Sequence, residues 1–237
     1  MRAICPRCGD KSRTLTISRV SGTNLAFVCH RNSCGVRGYT ESRYDGDHTT
    51  AKKETPEVQS CALPNDVREW LLSRYELEDS TLDEEGVVWW PTGGRVLLPL
   101  YDKQCRRYGY VGRAVHAEFR GPKALTIVQD TAWPGGGFTR TCRDSCIAVI
   151  VEDLFSAYAV AEFGYRGIAL AGTNCTDTLE ALLQDFQEIF VALDADATGK
   201  GAELTQQLAY LGARQMVVDK DIKDMNVHER SALLGYA

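Results

Sequence analysis

Apolar and polar positions alternate in short blocks along the chain, and the period of the pattern changes several times. Thr14–Val20 and Leu25–Cys29 have β-type patterning and flank Ser21-Gly22-Thr23-Asn24, which reads as a hairpin turn. From Glu41 to about Ser60 the apolar positions thin out around Asp45-Gly46-Asp47, Lys52-Lys53-Glu54 and Pro56. Such a composition cannot build a core, and it predicts a linker. Pro64 then opens a predicted helix, Asn65–Tyr75, with Val67, Trp70 and Leu71 on one face. Glycine-punctuated strands are predicted at Val87–Trp90, Arg95–Tyr101, Tyr108–Val115 and Leu125–Val128.

After Arg143 the blocks become unbroken apolar runs separated by helical stretches. Strands are predicted at Ile147–Val151, Gly167–Ala171, Ile189–Leu193 and Gln215–Val218, with helices at Phe155–Phe163, Thr178–Phe186 and Ala202–Gly212. Short apolar strands alternating with helices indicate a parallel sheet covered on both faces. The expected fold class is therefore α/β in this part and α+β for the whole chain.

Composition adds a class and a compartment. The chain has 237 residues and 44% hydrophobic content, ordinary for a soluble protein with a buried core. No apolar run approaches the roughly 20 residues that span a bilayer, and the first residues lack a secretory apolar stretch. A cytoplasmic protein without a membrane partner is the expectation. The net charge of −5 averages unlike segments. Residues 2–43 and 103–143 are rich in arginine, whereas acids concentrate at 76–85 and after 150. Local basic surfaces of this kind can bind phosphates on an acidic chain, although any single arginine can equally be a solvated charge.

The nine cysteines fall into two kinds. Cys5-Pro6-Arg7-Cys8-Gly9 holds two thiolates two residues apart, and Gly9 permits the turn that aims both at one ion. Cys29 and Cys34 follow after about 20 residues, enough for the joining hairpin of a zinc ribbon. Tetrahedral zinc needs four ligands, and Cys5, Cys8, Cys29 and Cys34 supply them. The wide Cys29–Cys34 spacing leaves His30 as an alternative ligand, but thiolates dominate structural sites. Holding together so small a segment is part of the role of such a metal. Cys61, Cys105, Cys142, Cys146 and Cys175 are expected as reduced structural thiols, and Cys142-x-x-x-Cys146 has no second pair nearby.

The second constellation consists of acids. Glu152 ends the first apolar strand, Asp194-Ala195-Asp196 ends the third, and Asp219, Asp221 and Asp224 follow the fourth. In a parallel sheet these strand ends share one edge, where ligand crevices form. Strand alternation would put both aspartates of the Asp-x-Asp on one side. Crowded carboxylates repel unless a cation neutralises them, and oxygen-only ligands suit magnesium or manganese. A lone aspartate in such a position is more often a helix cap, which does not account for three loaded strand ends. Gly199-Lys200-Gly201 lacks both the spacing and the Ser or Thr of a P-loop, so no helicase motor is expected.

Val149-Ile150-Val151-Glu152, Leu193-Asp194-Ala195-Asp196 and Lys220-Asp221-Ile222-Lys223-Asp224 resemble the TOPRIM domain of DnaG-type primases, type IA topoisomerases, RecR and certain nucleases. Arg95-Val-Leu-Leu-Pro99-Leu, Tyr108-Gly-Tyr-Val-Gly-Arg113 and Gly121-Pro-Lys123-Ala-Leu125 resemble the basic subdomain that precedes TOPRIM in bacterial and phage primases. With the cysteine module in front, the layout is similar to the primase half of phage primase–helicase proteins. The resemblance implies a zinc ribbon at 1–43, a linker at 44–62, a basic mixed α/β subdomain at 63–143 and a parallel-sheet TOPRIM domain at 144–237.

It also implies an activity: short RNA primers made on single-stranded DNA from ribonucleoside triphosphates, beside a separate replicative helicase. Magnesium or manganese would be held by Glu152, Asp194, Asp196 and Asp221, with Glu152, Asp194 and Asp196 catalytic. Arg95, Arg113, Lys123 and Lys200 would hold nucleotide or DNA, and Trp89, Trp90 or Trp133 would stack on bases or be buried. The family's acid four residues after the Glu is replaced by Ser156, so that metal binding would depend more on Asp194, Asp196 and Asp221, or Ser156 would act through water, while Asp153 would point elsewhere on the turn. A RecR-like DNA-binding protein would bring a helix-hairpin-helix before the cysteines, and a TOPRIM nuclease an ATPase domain. A topoisomerase would need a nucleophilic tyrosine in further domains.

Overall fold

The computed structural model of the chain describes residues 2–5, 8, 15–21, 24–29, 34, 37–41, 58–115, 122–128, 136–171, 175 and 177–235. The chain divides into two units, Met1–Glu54 and Thr55–Ala237. In the first, β1 (Arg2–Ala3), β2 (Leu15–Ser21), β3 (Asn24–Cys29) and β4 (Arg37–Glu41) form an antiparallel sheet in that order. The predicted hairpin is β2–β3, with Ile17 opposite Phe27 and Leu15 opposite Cys29. Strand β4, Arg-Gly-Tyr-Thr-Glu, carries no apolar alternation and is held by backbone pairing to β3, so its pattern did not announce it. The small core is Leu15 with Cys5, Cys29 and Cys34.

The second unit begins with α1 (Asn65–Tyr75) and α2 (Asp79–Glu84), followed by β5 (Val88–Trp90), β6 (Arg95–Tyr101), β7 (Arg107–Ala114), β8 (Ala124–Val128) and β9 (Gly137–Phe138). It continues with β10 (Ile147–Val151), α3 (Leu154–Ala161), β11 (Arg166–Ala169), α4 (Asp177–Leu183), β12 (Glu188–Val191), α5 (Thr198–Gln207), β13 (Arg214–Gln215) and α6 (Val227–Leu234). The sheet order is β13-β12-β10-β11-β9-β6-β7-β8, with β5 also paired to β6. Strands β11, β10, β12 and β13 are parallel, and the rest of the sheet is antiparallel.

The basic segment and the α/β segment are therefore one continuous mixed sheet rather than two separate ones. Strand β9 joins them, pairing Phe138 with both Ile168 and Tyr101. The expected linker also ends earlier than 62. Cys61 and Trp89 exchange backbone hydrogen bonds of 2.9 and 2.8 Å, which fastens that stretch to the sheet.

Strand β10 explains its own unbroken apolar run. Val149 and Val151 enter one core with Leu71, Tyr75, Phe155, Tyr158 and Leu234, while Ala148 and Ile150 enter another with Leu179, Leu183, Leu204 and Leu208. Both faces are buried, so no polar alternation remains. Helices α1, α3 and α6 cover one face, and α4 and α5 the other. At Gly167 the sheet meets α3 without room for a side chain: a Cβ there would lie 2.4 Å from the carbonyl oxygen of Ala157. Among the described residues no helix is long and apolar enough to cross a membrane.

Candidate active site

The four cysteine sulfurs of the first unit lie within 4.8 Å of one another, the one such group of His, Cys, Asp or Glu side chains among the described residues. Cys5 Sγ and Cys34 Sγ are 3.6 Å apart, and Cys8 Sγ and Cys29 Sγ are 3.8 Å apart. Zn–S bonds of about 2.3 Å in a tetrahedron give S···S edges of about 3.8 Å. The set therefore fits one tetrahedral zinc with thiolate ligands alone. His30 lies outside the described residues. Cys142 turns its thiol to the carbonyl of Ala161 at 3.1 Å, and Cys146 is exposed.

In the second unit the chain reverses its direction of winding at β10. Helix α3 leads to β11 on one side of it, and α4 leads back across to β12 on the other. A crevice opens beyond the carboxyl ends at such a switch point. Here it is a cleft of about 300 Å³ lined by Glu152, Asp153, Asp194, Lys223 and Arg113, with Leu98, Val111, Ala124, Thr126 and Phe155 among its apolar walls. Strands β7 and β8 thus bring basic and apolar side chains to the acidic ends of β10 and β12. At its rim Ala171, left-handed at φ 51°, donates its N–H to the carbonyl of Glu152 at 2.9 Å.

Lys223 lies at the centre of the acids. Its Nζ is 2.8 Å from Asp153 Oδ2, 2.8 Å from Asp221 Oδ2 and 3.2 Å from Asp194 Oδ2. Burial opposes the ammonium charge, but the three carboxylates outweigh it and hold the lysine well above its ordinary range. Burial raises Asp194 to about 6 despite the opposing pull of Lys223. Asp221 is also desolvated, yet hydrogen bonds from Lys223 and the Ala195 N–H hold it below the usual carboxylate range.

The segment that carries Lys223 is fastened from outside the cleft. Fully buried Arg230 donates to the carbonyls of Ile222, Glu76 and Tyr75, and Arg74 pairs with Asp224 at 2.6 Å.

Asp153 corrects an expectation. Its Oδ1 caps α3 by accepting from the N–H groups of Phe155 and Ser156 at 2.9 and 3.1 Å, and the same carboxylate turns Oδ2 into the cluster. It faces the site rather than pointing away. Glu152 lines the cleft and forms no ion pair or side-chain hydrogen bond among the described residues. Ser156 is buried on α3, and its Oγ has no partner there.

The remaining candidates scatter. The extended chain after β12 gives way to a 3-10 turn at Ala195–Ala197, so strand alternation does not carry to Asp196. That residue is exposed and does not line the cleft. Arg113 lines the cleft and forms no ion pair or side-chain hydrogen bond among the described residues, whereas Lys123 is exposed beside Ala124 at the start of β8. Arg95 is not a surface cation. It is 3% exposed and donates to the carbonyls of Pro122 at 2.7 Å, Gly112 at 3.1 Å and Lys123 at 3.4 Å. Lys200 sits on α5 beside a different hollow, with Leu170, Cys175 and Glu203. Trp89 and Trp90 pack against the cores, and Trp133 lies outside the described residues.

Sequence reasoning missed Lys223 and Asp153. The only signals were a lysine inside a run of acids and an aspartate just before an apolar helix start.

No family model matches the sequence, and no curated protein does. Solved structures do match. The DnaG primase catalytic domain bound to single-stranded DNA is 17% identical with a TM-score of 0.58, over 71% of this chain and 69% of that one. The RNA polymerase domain of Mycobacterium tuberculosis primase DnaG, in complex with a double-stranded DNA oligomer with an overhang, is 15% identical with a TM-score of 0.58, over 71% of each chain. The zinc-binding and RNA polymerase domains of Aquifex aeolicus primase are 19% identical with a TM-score of 0.51, over 74% of this chain and 50% of that one. The chain spans about half the length of that last structure. With a mixed α/β sheet and a four-cysteine cluster near its N-terminus, this chain has the fold of the DnaG-type primases.

Proposed function

We propose that the protein is a DNA primase of the TOPRIM type, a nucleotidyl transferase that makes short RNA primers on single-stranded DNA. One observation carries the reading. Two acids from adjacent parallel strands, Glu152 and Asp194, line the same cleft as the cationic Arg113. The primase fold supports it.

The donor set fits a hard divalent cation, since every candidate ligand is a carboxylate oxygen. Glu152 and Asp194 would hold magnesium or manganese. Asp221 would join only by giving up Lys223 or the Ala195 N–H, which engage its two oxygens. When bound, the ion supplies neutralisation of the triphosphate and of the charge that develops at the α-phosphorus.

The chain's own groups do the rest. Arg113 on β7 faces the cleft and would grip a phosphate of the incoming ribonucleotide. Exposed Lys123 would meet the template backbone. Glu152 would either hold the ion through water or accept the 3′-hydroxyl proton as that oxygen bonds to the α-phosphorus and pyrophosphate leaves. The apolar walls from Leu98, Val111 and Phe155 limit water around the reacting groups. The zinc unit would read the template. A separate helicase and the cytoplasm of a bacterial or phage-infected cell complete the proposal.

The test is incubation of the full chain with single-stranded DNA, ribonucleotides and Mg²⁺ or Mn²⁺. Short RNA products that vanish with Asp194→Ala support the reading. DNA binding without synthesis points to a RecR-like binding protein, and cleavage of the template to a nuclease; either sinks it.

A further inference from the structure

Each carboxylate of the acidic cluster offers two oxygens, and the structure shows how most of them are spent. Asp153 gives Oδ1 to the N-terminus of α3 and Oδ2 to Lys223. Asp221 gives Oδ1 to the N–H of Ala195 and Oδ2 to Lys223. Asp194 gives Oδ2 to Lys223, and its carboxyl also meets that of Asp221. Its Oδ1 and the whole Glu152 carboxylate are unclaimed by any cation among the described residues.

Phosphoryl-transfer centres with two metals set the ions about 3.5–4 Å apart, bridged by shared carboxylates. Here the position among Asp153, Asp194 and Asp221 already holds a positive charge that is part of the chain. The side chain is 11% exposed, and Arg230 and Arg74 fix the segment that carries it. A second divalent ion would have to sit against this ammonium and compete for oxygens it already occupies.

We infer that Lys223 takes the place of one cation in the acidic centre, so that the chain binds a single divalent ion between Glu152 and Oδ1 of Asp194. The inference rests on the metal-dependent reading proposed above and adds the number of ions and the residue that sets it. Lys223 is a positioning residue in this account. It holds Asp153, Asp194 and Asp221 together without metal and leaves one oxygen of Asp194 without a cation. Because it acts on stoichiometry, its effect is separable from a purely structural role, which would leave the number of ions unchanged.

The experiment is a Mn²⁺ titration of the zinc-loaded full chain, following free Mn²⁺ by electron paramagnetic resonance. Wild type is expected to bind one Mn²⁺, Lys223→Gln two, and Lys223→Arg one. Two Mn²⁺ on wild type overturns this inference alone and leaves the primase reading standing. So does Lys223→Gln with the number and affinity of wild type. No Mn²⁺ bound by wild type overturns the metal-dependent reading itself. If Lys223→Gln is unfolded without divalent ion, refolding on addition of Mn²⁺ supports the substitution of one cation by another. Failure to refold leaves the wild-type stoichiometry to decide, one ion for and two against.

Discussion

Asp153 and Lys223 are joined at 2.8 Å through the carboxylate oxygen that the α3 cap leaves over. One side chain thus sets the start of a helix and fixes the cation of the site. The two roles are separable. Asparagine is as good an N-cap as aspartate but carries no charge, and alanine performs neither role. Asp153→Ala is expected to lose about 1 kcal/mol more stability than Asp153→Asn, as read from urea unfolding. Equal losses would show that the cap contributes nothing.

Asp194 makes the site sensitive to pH. Burial, only partly offset by Lys223, holds it at about 6, above the roughly 3.9 of an unfolded chain. Between those values the folded chain binds more protons than the unfolded one, so this group's contribution makes stability fall as pH rises through the window, with no further change above it. Metal binding runs the other way, because proton and ion compete for one carboxylate. Mn²⁺ affinity is expected to rise about tenfold per pH unit below about 6 and then level off. Titrations across this range check it, and Asp194→Asn should flatten the profile.

The cysteine unit should depend on its metal alone. One zinc per chain is expected by atomic absorption, and the four-thiolate geometry predicts its loss with Cys5→Ser. Structural zinc contributes about 10–16 kcal/mol of apparent folding free energy in small domains. Chelation should therefore unfold the first unit and leave the thermal transition of the second, with its own cores, unchanged. A lowered second transition would count against independent units.

Arg95 and Arg113 should part company in mutagenesis. Arg95→Ala removes the buried donor to the carbonyls of Gly112 and Pro122, while that of Lys123 keeps the Ala114 N–H, and is expected to cost about 2–4 kcal/mol. Arg113→Ala should change stability by about 0.5 kcal/mol or less while weakening nucleotide or DNA binding. Chemical denaturation and a fluorescence-anisotropy titration of each variant distinguish the two. Equal stability losses would reassign Arg113 as a structural residue.

By itself the sequence determined what depends on neighbours along the chain. The spacing of Cys5, Cys8, Cys29 and Cys34 brings four thiols together around one short hairpin. The unbroken apolar run Ile147–Val151 marks a strand buried on both faces, and the acids after it mark the sheet edge where a cleft forms. Only the tertiary structure decided which charges meet in that cleft. Arg95 and Arg113 look alike in sequence, but one turns into the β7–β8 hairpin and the other into the cleft. Asp196 stands two residues from Asp194, yet a 3-10 turn breaks the alternation that would have aligned them. Lys223 reads as one more surface charge, because Asp153, 70 positions earlier, and Asp194 reach it only after β10 and β12 pair. Charge pairing across the ends of parallel strands is a long-range property, fixed by strand order and loop anchoring rather than by local pattern.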